Sequence, residues 1–253
     1  MTSAGATSRV VAERDAWLSG IWGQPVFRVG ANPDPGVIRQ ALASAWSDGP
    51  AFCYAKIPTS KVESVAALGA VGFNVVDVSV TFERLPEAVA ISVPGVDVGV
   101  ATPQDKDAVL EIAGQSFVYS RFHLDPRVPA GLADRIKTEW MRNYLNGSRG
   151  DAVLVARMSG KPVGFLAILA ADVAGRKASI IDLIGVSRSA QRSGVGQALV
   201  HAFISRGVGR CDIERVGTQA ANIPSMRLYE KCGFRVADTA YVLHGHFDRP
   251  LTP

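Results

Sequence analysis

The sequence predicts an α/β fold on a mixed sheet, and three observations carry the prediction. From residue 179 onward, apolar runs of strand length alternate with segments of helical period. Residues 74–84 alternate in character through Val76, Val78, Val80 and Phe82, the pattern of a half-buried strand. The run Gln191, Arg192, Ser193, Gly194, Val195, Gly196 joins an apolar stretch at 180–186 to a helical one at 197–204, which reads as strand, turn and helix.

Size and composition set the frame. The chain has 253 residues, 47% hydrophobic and 20% charged, which is ordinary for a globular protein and long enough for two modest domains. The net charge of +4 comes without any Lys/Arg run, so nucleic-acid binding is not expected, whereas an anionic small molecule suits the basic balance. No apolar stretch approaches the length of a membrane span, and the first residues lack a basic segment leading into an apolar one, so neither membrane nor export is expected. Cys53, Cys211 and Cys232 are odd in number and lack metal-like spacing; they read as free thiols in a reducing cytoplasm, with no metal site.

In order along the chain, residues 24–29 read as a strand, 37–45 as a helix, 51–57 as a strand, 60–71 as a helix stopped by Gly72, and 74–84 as a strand. Pro86 and Pro94 bracket an aperiodic segment, expected to be a linker. Beyond it, 98–101 is a short strand and 103–116 a helix opened by Pro103, Gln104 and Asp105. Residues 120–130 read as irregular and 134–145 as a helix. Strands at 152–158 and 163–171 form a hairpin through Ser159, Gly160, Lys161 and Pro162. The strand at 179–186, the glycine run, its helix, a strand at 212–219, a helix at 223–232 and a strand at 240–247 complete the chain.

The glycine run carries the first chemistry. A strand turning through two glycines into a helix aims several backbone N–H groups at one place, at the positive end of the helix dipole, which is a phosphate site built from main chain. No Lys-Ser/Thr pair follows Gly196, so this is not a Walker loop, and the glycine spacing is not the dinucleotide fingerprint. A tight turn without a ligand is the alternative reading.

A second cluster lies downstream: Thr218, Gln219, Asn222, Ser225, then Tyr229, Gly233 and Phe234. Gln191, Gly194 and Gly196 together with Asn222, Tyr229, Gly233 and Phe234 resemble the GNAT superfamily of N-acetyltransferases, over about residues 97–247. The resemblance implies a GNAT fold with a central mixed, mostly antiparallel sheet in residues 97–253. It implies acetyl-CoA as cosubstrate and no metal. Gln191, Arg192, Ser193, Gly194, Val195 and Gly196 would hold the pyrophosphate. The splayed strand end, Leu183, Ile184, Gly185 and Val186, would hold the pantetheine amides and the thioester carbonyl. Asn222 and Ser225 would contact the pantetheine arm, with a helix cap as the alternative for Asn222. Tyr229 would protonate the leaving thiolate, with core packing as its alternative. Asp182 and Glu214 are candidates for a base acting through water.

Residues 68–77 echo 229–238: a helix end, Gly-Phe, then a strand. Residues 1–90 therefore read as a smaller, degenerate GNAT-like α/β domain without phosphate loop or tyrosine. Trp22, Gly23, Gln24, Pro25, Val26 and Phe27, then Ser120, Arg121 and Phe122, and residues 218–222 with Thr239, Ala240 and Tyr241 carry a finer resemblance. They resemble the TDP-fucosamine acetyltransferases, which act on sugar-nucleotide amines. Leu18, Ser19, Gly20 and Ile21 stand where that family has acidic residues, and Trp22 replaces a phenylalanine. The resemblance implies a small-molecule amine acceptor, an amino sugar nucleotide of the 4-amino-deoxyhexose type, contacted by Arg121 and Asp125. A protein or peptide acceptor, a CoA-binding module without turnover, and a homodimer remain open.

Overall fold

Residues 12–87 and 93–252 are described by the computed structural model. By contact the chain divides into two units, Met1–Ser79 with Thr239–Pro253, and Val80–Asp238. In chain order the first segment holds β1 (Ala12–Arg14), α1 (Ala16–Trp22), β2 (Val26–Val29), α2 (Pro35–Ala45), β3 (Ala51–Pro58), α3 (Val62–Val71) and β4 (Asn74–Arg84). Then follow β5 (Asp97–Val100), a 3-10 turn at Pro103–Asp105, α4 (Lys106–Gln115), α5 (Arg121–Leu124), α6 (Leu132–Leu145), β6 (Ala152–Met158), β7 (Lys161–Val173) and β8 (Arg176–Val186). After a second 3-10 turn at Arg188–Ala190 come α7 (Val195–Gly207), β9 (Ile213–Gln219), α8 (Ile223–Lys231) and β10 (Arg235–Phe247).

In the first unit the strand order is β1-β2-β3-β10. Only β2 and β3 run parallel there; β1–β2 and β3–β10 are antiparallel. Helices α2 and α3 supply Ile38, Leu42, Leu68 and Val71 to a core closed by Phe27, Val29, Cys53, Ala55, Ile57 and Leu243. On β3 these are alternate residues, as a pleated strand with one face on helices requires. Phe52, on the other face of β3, stacks on Trp22 with ring centroids 4.0 Å apart.

The expected boundary is corrected here. Residues 97–253 were read as one domain, but 239–253 belong by contact to the first unit. The physical reason is the β3–β10 ladder, in which Ala240 to Phe247 pair residue by residue with Pro58 to Ala51. The linker expected between Pro86 and Pro94 lies largely outside the described residues.

In the second unit the order is β4-β9-β8-β7-β6-β5. The pairs from β5 to β8 are antiparallel, and β8–β9 is parallel. The sheet is thus mixed and mostly antiparallel. Alternation along β7 separates two cores: Phe165 and Ala167 pack with Val109, Ile112, Met141 and Leu183, while Leu166 and Ile168 pack with Leu199, Phe203, Val216 and Tyr229. The β6–β7 hairpin closes through only two residues, Ser159 (φ 48°) and Gly160 (φ 77°), a primed turn that suits the twist of the strands.

Several short elements differ from expectation. Helix α1 was not foreseen, although Asp15 accepts a capping bond from Leu18 N (2.9 Å) and Gly23 closes it at φ 81°. The segment at 120–130 contains the single turn α5, anchored by the buried Phe122. Strand β10 starts at Arg235 rather than at residue 240, because Gly233 (φ 85°) ends α8 and returns the chain directly into the sheet.

Candidate active site

Strand β8 changes neighbours halfway along. It pairs with β9 from Ala178–Ile213 to Ile181–Val216, and there the described pairing stops. Its next residues stay paired with β7 alone, through Leu183–Ala167, Ile184–Leu166, Gly185–Phe165 and Val186–Gly164. At the point of departure Asp182 is an extra residue, since Ile168 faces Ile181 while Ala167 faces Leu183. Such a bulge bends the strand and increases its twist. Leu183, Ile184, Gly185 and Val186, the expected pantetheine edge, therefore present backbone groups on the side facing away from β7. Leu183 packs into the α4–α6 core, and Ile184 and Val186 pack on the α7 side.

The chain then crosses the 3-10 turn into the glycine run. Ala190 and Val195 are buried and pin the run at both ends, while Gln191, Arg192 and Ser193 between them are exposed. Arg192 (φ 65°) and Gly194 (φ 86°) are left-handed. Left-handed residues interleaved with right-handed ones turn successive N–H groups inward, the concavity that binds anions. Gly194 caps α7 without a side-chain bond, so the first N–H groups of a 13-residue helix face outward with no side chain capping them. Both glycines are also needed for packing. A Cβ at Gly194 would meet Val93 Cγ1 at 2.7 Å, and one at Gly196 would meet Leu228 Cδ2 of α8 at 3.3 Å.

Helix α8 starts at Asn222, whose side chain accepts from Ser225 N at 3.3 Å, so the capping role anticipated as its alternative is present. The Ser225 side chain is hydrogen-bonded to Tyr229. The Tyr229 ring is 2% exposed, with its centroid 5.9 Å from Phe82 and 6.1 Å from Phe234. Burial raises the Tyr229 pKa well above the ordinary phenol value, which keeps it protonated at neutral pH.

The other face of β8 meets α6. Asp182 Oδ2 accepts from Trp140 Nε1 (3.0 Å), Tyr144 Oη (2.7 Å) and Arg149 Nε (2.9 Å). Three donors converge on that oxygen, which stabilises the ionised carboxylate. Asp182 thus ties α6 to the bulge. Glu214, the other candidate base, pairs with Ser179, about 13 Å along the strand from Leu183 at the usual rise per residue. It is fully buried with Oε2 3.2 Å from Arg84 Nε, and burial, partly offset by Arg84, pushes its pKa up to about 7. A Cβ at Gly207 would collide with its Oε1, which puts it beneath the end of α7, away from the splay.

Of the acceptor-side candidates, Arg121 lies with its guanidinium 4.4 Å from the Phe122 ring centre. Asp125 is buried and accepts from Arg127 N at 2.9 Å, closing the turn after α5. His123 bridges Ser120 Oγ (2.6 Å) and Asp134 Oδ1 (3.0 Å), holding α5 to α6. The sequence reading missed Lys137. Its Nζ lies 4.7 Å from the Phe117 ring centre and 4.9 Å from that of Trp140, and the residue is 9% exposed. Burial and the charge of Arg121, partly offset by Asp182, lower its pKa to about 8. A lysine in the buried stripe of Ala133, Ile136, Met141 and Tyr144 was the available signal.

Residues 109–234 match the family described as Acetyltransferase (GNAT) family. A curated relative, the spore coat polysaccharide biosynthesis protein SpsD of Bacillus subtilis (strain 168), is 30% identical over 156 residues. That match takes in 60% of this chain and 51% of the relative, so it spans about half the relative's length. Among solved structures, a GCN5-related N-acetyltransferase from Kribbella flavida is similar with a TM-score of 0.59 at 18% identity, over 88% of this chain and 82% of that one. A functionally unknown conserved protein from Staphylococcus epidermidis ATCC 12228 gives 0.60 at 14% identity, over 98% and 96%. A tandem GNAT protein from the clavulanic acid biosynthesis pathway gives 0.59 at 13%, over 88% and 76%. These structural likenesses are of fold. With the family match, the splayed strand and the open helix start, residues 109–234 of this chain form a domain of the GNAT acetyltransferase family.

Proposed function

We propose that this chain acetylates a primary amine of a small molecule, an amino sugar nucleotide of the 4-amino-deoxyhexose type, using acetyl-CoA. The observation that carries the reading is the departure of β8 from β9 after Ile181, next to a helix start with no side-chain cap. The residues present fit the cosubstrate: a concave run of N–H groups for a pyrophosphate, and an open strand edge for amides. Acetyl-CoA supplies a thioester, whose acyl group passes to the amine and whose thiolate leaves.

In this reading the N–H groups of the run from Gln191 to Gly196 hold the pyrophosphate, and Arg192 adds positive charge at its rim. Leu183, Ile184, Gly185 and Val186 orient the pantetheine amides and polarise the thioester carbonyl through main-chain N–H groups. The Asn222 side chain reaches the pantetheine arm, beside Ser225. Tyr229 gives its proton to the leaving sulfur. Arg121 and Asp125 border the acceptor. The sugar acceptor draws support from the polysaccharide-biosynthesis name of the Bacillus relative. The free thiols Cys53, Cys211 and Cys232 suit a cytoplasmic setting.

One observation favours a second reading, a CoA-binding module without turnover: Tyr229 is packed in the core with its hydroxyl bonded to Ser225. The deciding experiment is an acetyl-CoA consumption assay across amino sugar nucleotides, diamines and peptides. Turnover with a 4-amino sugar nucleotide is the expected result. Saturable CoA binding with no turnover on any acceptor refutes the enzyme reading in favour of the module.

A further inference from the structure

We infer that Asp182 is a positioning residue for the acyl donor: its carboxylate holds β8 bent away from β9, and so keeps the strand edge at 183–186 open for the pantetheine arm. The inference rests on the acetyl-CoA reading above for the ligand, and on the second unit alone for the device.

The edge does not open for want of a neighbour. Strand β9 runs on to Gln219, three residues past Val216, the last to pair with β8. At the register already set, Gly217, Thr218 and Gln219 would meet Asp182, Leu183 and Ile184. It is β8 that leaves. An open strand edge lacks main-chain partners, so closure onto β9 is the relaxation available to a straight β8.

What prevents the closure is the extra residue in β8. Ile181 packs with Leu199, Phe203 and Val216, and regular alternation would send Leu183 to that same core. Leu183 packs instead with Val109, Ile112 and Met141, on the side where the Asp182 carboxylate meets α6. Two successive side chains on one face break the alternation, as a bulge requires. The apolar pattern does not select this register, because Leu183 and Ile184 are both apolar and a slip by one residue merely exchanges them. The polar group does select it. Asp182 Oδ2 gathers Trp140 Nε1, Tyr144 Oη and Arg149 Nε in a place where its side chain is only 15% exposed. Charge-assisted bonds out of water are costly to leave unmade, so a shifted backbone that withdrew the carboxylate would be penalised.

The donors are held as firmly as the acceptor. Trp140 and Tyr144 are four residues apart on α6, hence on one face. Arg149 follows in the loop to β6, where Arg149 N donates to Asn143 O (3.1 Å) and Asp151 N to Ile168 O (2.9 Å). Between them Gly150 (φ 74°) has no room for a side chain, since a Cβ would strike the Tyr144 ring and meet Ile168 O at 2.7 Å. Ile168 is the β7 residue opposite Ile181, beside the bulge. The loop thus fastens to the bulge from β7 while its arginine fastens to it from β8.

The test measures binding of CoA and of 3′-phosphoadenosine 5′-diphosphate, the same nucleotide without the arm, by calorimetry on the full chain. Wild type, Asp182→Ala, Asp182→Asn and Tyr144→Phe are compared, each with a thermal midpoint. Wild type should bind CoA more tightly than the armless nucleotide. Asp182→Ala should lose at least about 10-fold in CoA affinity and keep that of the nucleotide within about twofold. Asp182→Asn, which keeps an acceptor oxygen, should recover part of the loss. Tyr144→Phe removes one donor and keeps the ring beside Gly150, so it should weaken CoA in the same sense even where Asp182→Ala does not fold. Equal losses for both ligands, or a lowered midpoint with both affinities kept, would assign Asp182 to folding alone and overturn the inference. Equal affinity of wild type for the two ligands would overturn it too, because the edge would not grip the arm. Failure of wild type to bind either ligand sinks the acetyl-CoA reading and the inference with it, whereas CoA binding that ignores all three substitutions sinks the inference alone.

Discussion

Lys137 makes the stability of this protein depend on pH in a direction that a single substitution isolates. Its ammonium has a pKa lowered from 10.5 to about 8 by burial and by Arg121. Below about pH 8 the group is charged both folded and unfolded, and the folded state bears the full cost of burying it. As pH rises from 8 toward 10.5, the folded chain gives up the proton while the unfolded chain keeps it, so folding becomes more favourable. Above 10.5 the group is neutral in both states and the cost is gone. Lowering the pKa from 10.5 to about 8 corresponds to roughly 3 kcal/mol. Lys137→Met removes the titration and leaves every other group in place. Urea unfolding of both proteins at about pH 7 and at about pH 11 measures it. The variant's stability advantage over wild type should shrink by roughly 3 kcal/mol between the two. Parallel pH profiles for the two proteins across 8 to 10.5 would refute the picture of a lysine whose burial lowers its pKa.

Three further outcomes are expected. Tyr229→Phe should lower kcat and kcat/KM alike by about 100-fold or more, with CoA affinity little changed, if the phenol protonates the thiolate; wild-type rates would show that another group does so. Gly196→Val should weaken CoA binding and cost about 1–3 kcal/mol in unfolding free energy, because the new side chain enters space held by Leu228 Cδ2; unchanged calorimetric affinity would remove this run from the CoA site. Glu214, with its pKa raised from 4.5 to about 7 by burial, should make wild type lose roughly 3 kcal/mol as pH rises from about 4.5 through 7, since there the folded state holds the proton and the unfolded state does not. Glu214→Gln should flatten that slope, and an unaltered slope in denaturant titrations would contradict the assignment.

What the sequence made legible was what is encoded within one element or between neighbours. Strand β4 was readable from the alternation of Val76, Val78, Val80 and Phe82, and the turn into α7 from a run of six residues that is both a backbone conformation and a composition. The return of β10 to β3 was not readable, because its partners are separated by some 180 residues and any apolar strand edge satisfies the same local pattern. Asp182 was noticed as a carboxylate on a strand, but its role depends on Trp140, Tyr144 and Arg149, 33 to 42 residues away. The two glycines were read for ligand approach, whereas the room they leave is shared with Val93 and Leu228. Helix α1 was missed for a different reason: Asp15 and Gly23 mark its ends clearly, but seven residues are too few to show a period.

The β3–β10 ladder also bears on how the chain is made. Because β10 follows everything in the second unit, the first unit is interrupted in sequence by the whole of the second. During synthesis β3 emerges with its β2 side covered and its other edge open, and it waits for about 190 further residues before its partner leaves the ribosome. At 5–20 residues per second that is roughly 10–40 s with an unpaired, largely apolar strand edge exposed. A nascent chain of this design invites edge-to-edge association in that interval. A truncation anywhere between Val80 and Asp238 would therefore also deprive the unit synthesised first of its closing strand.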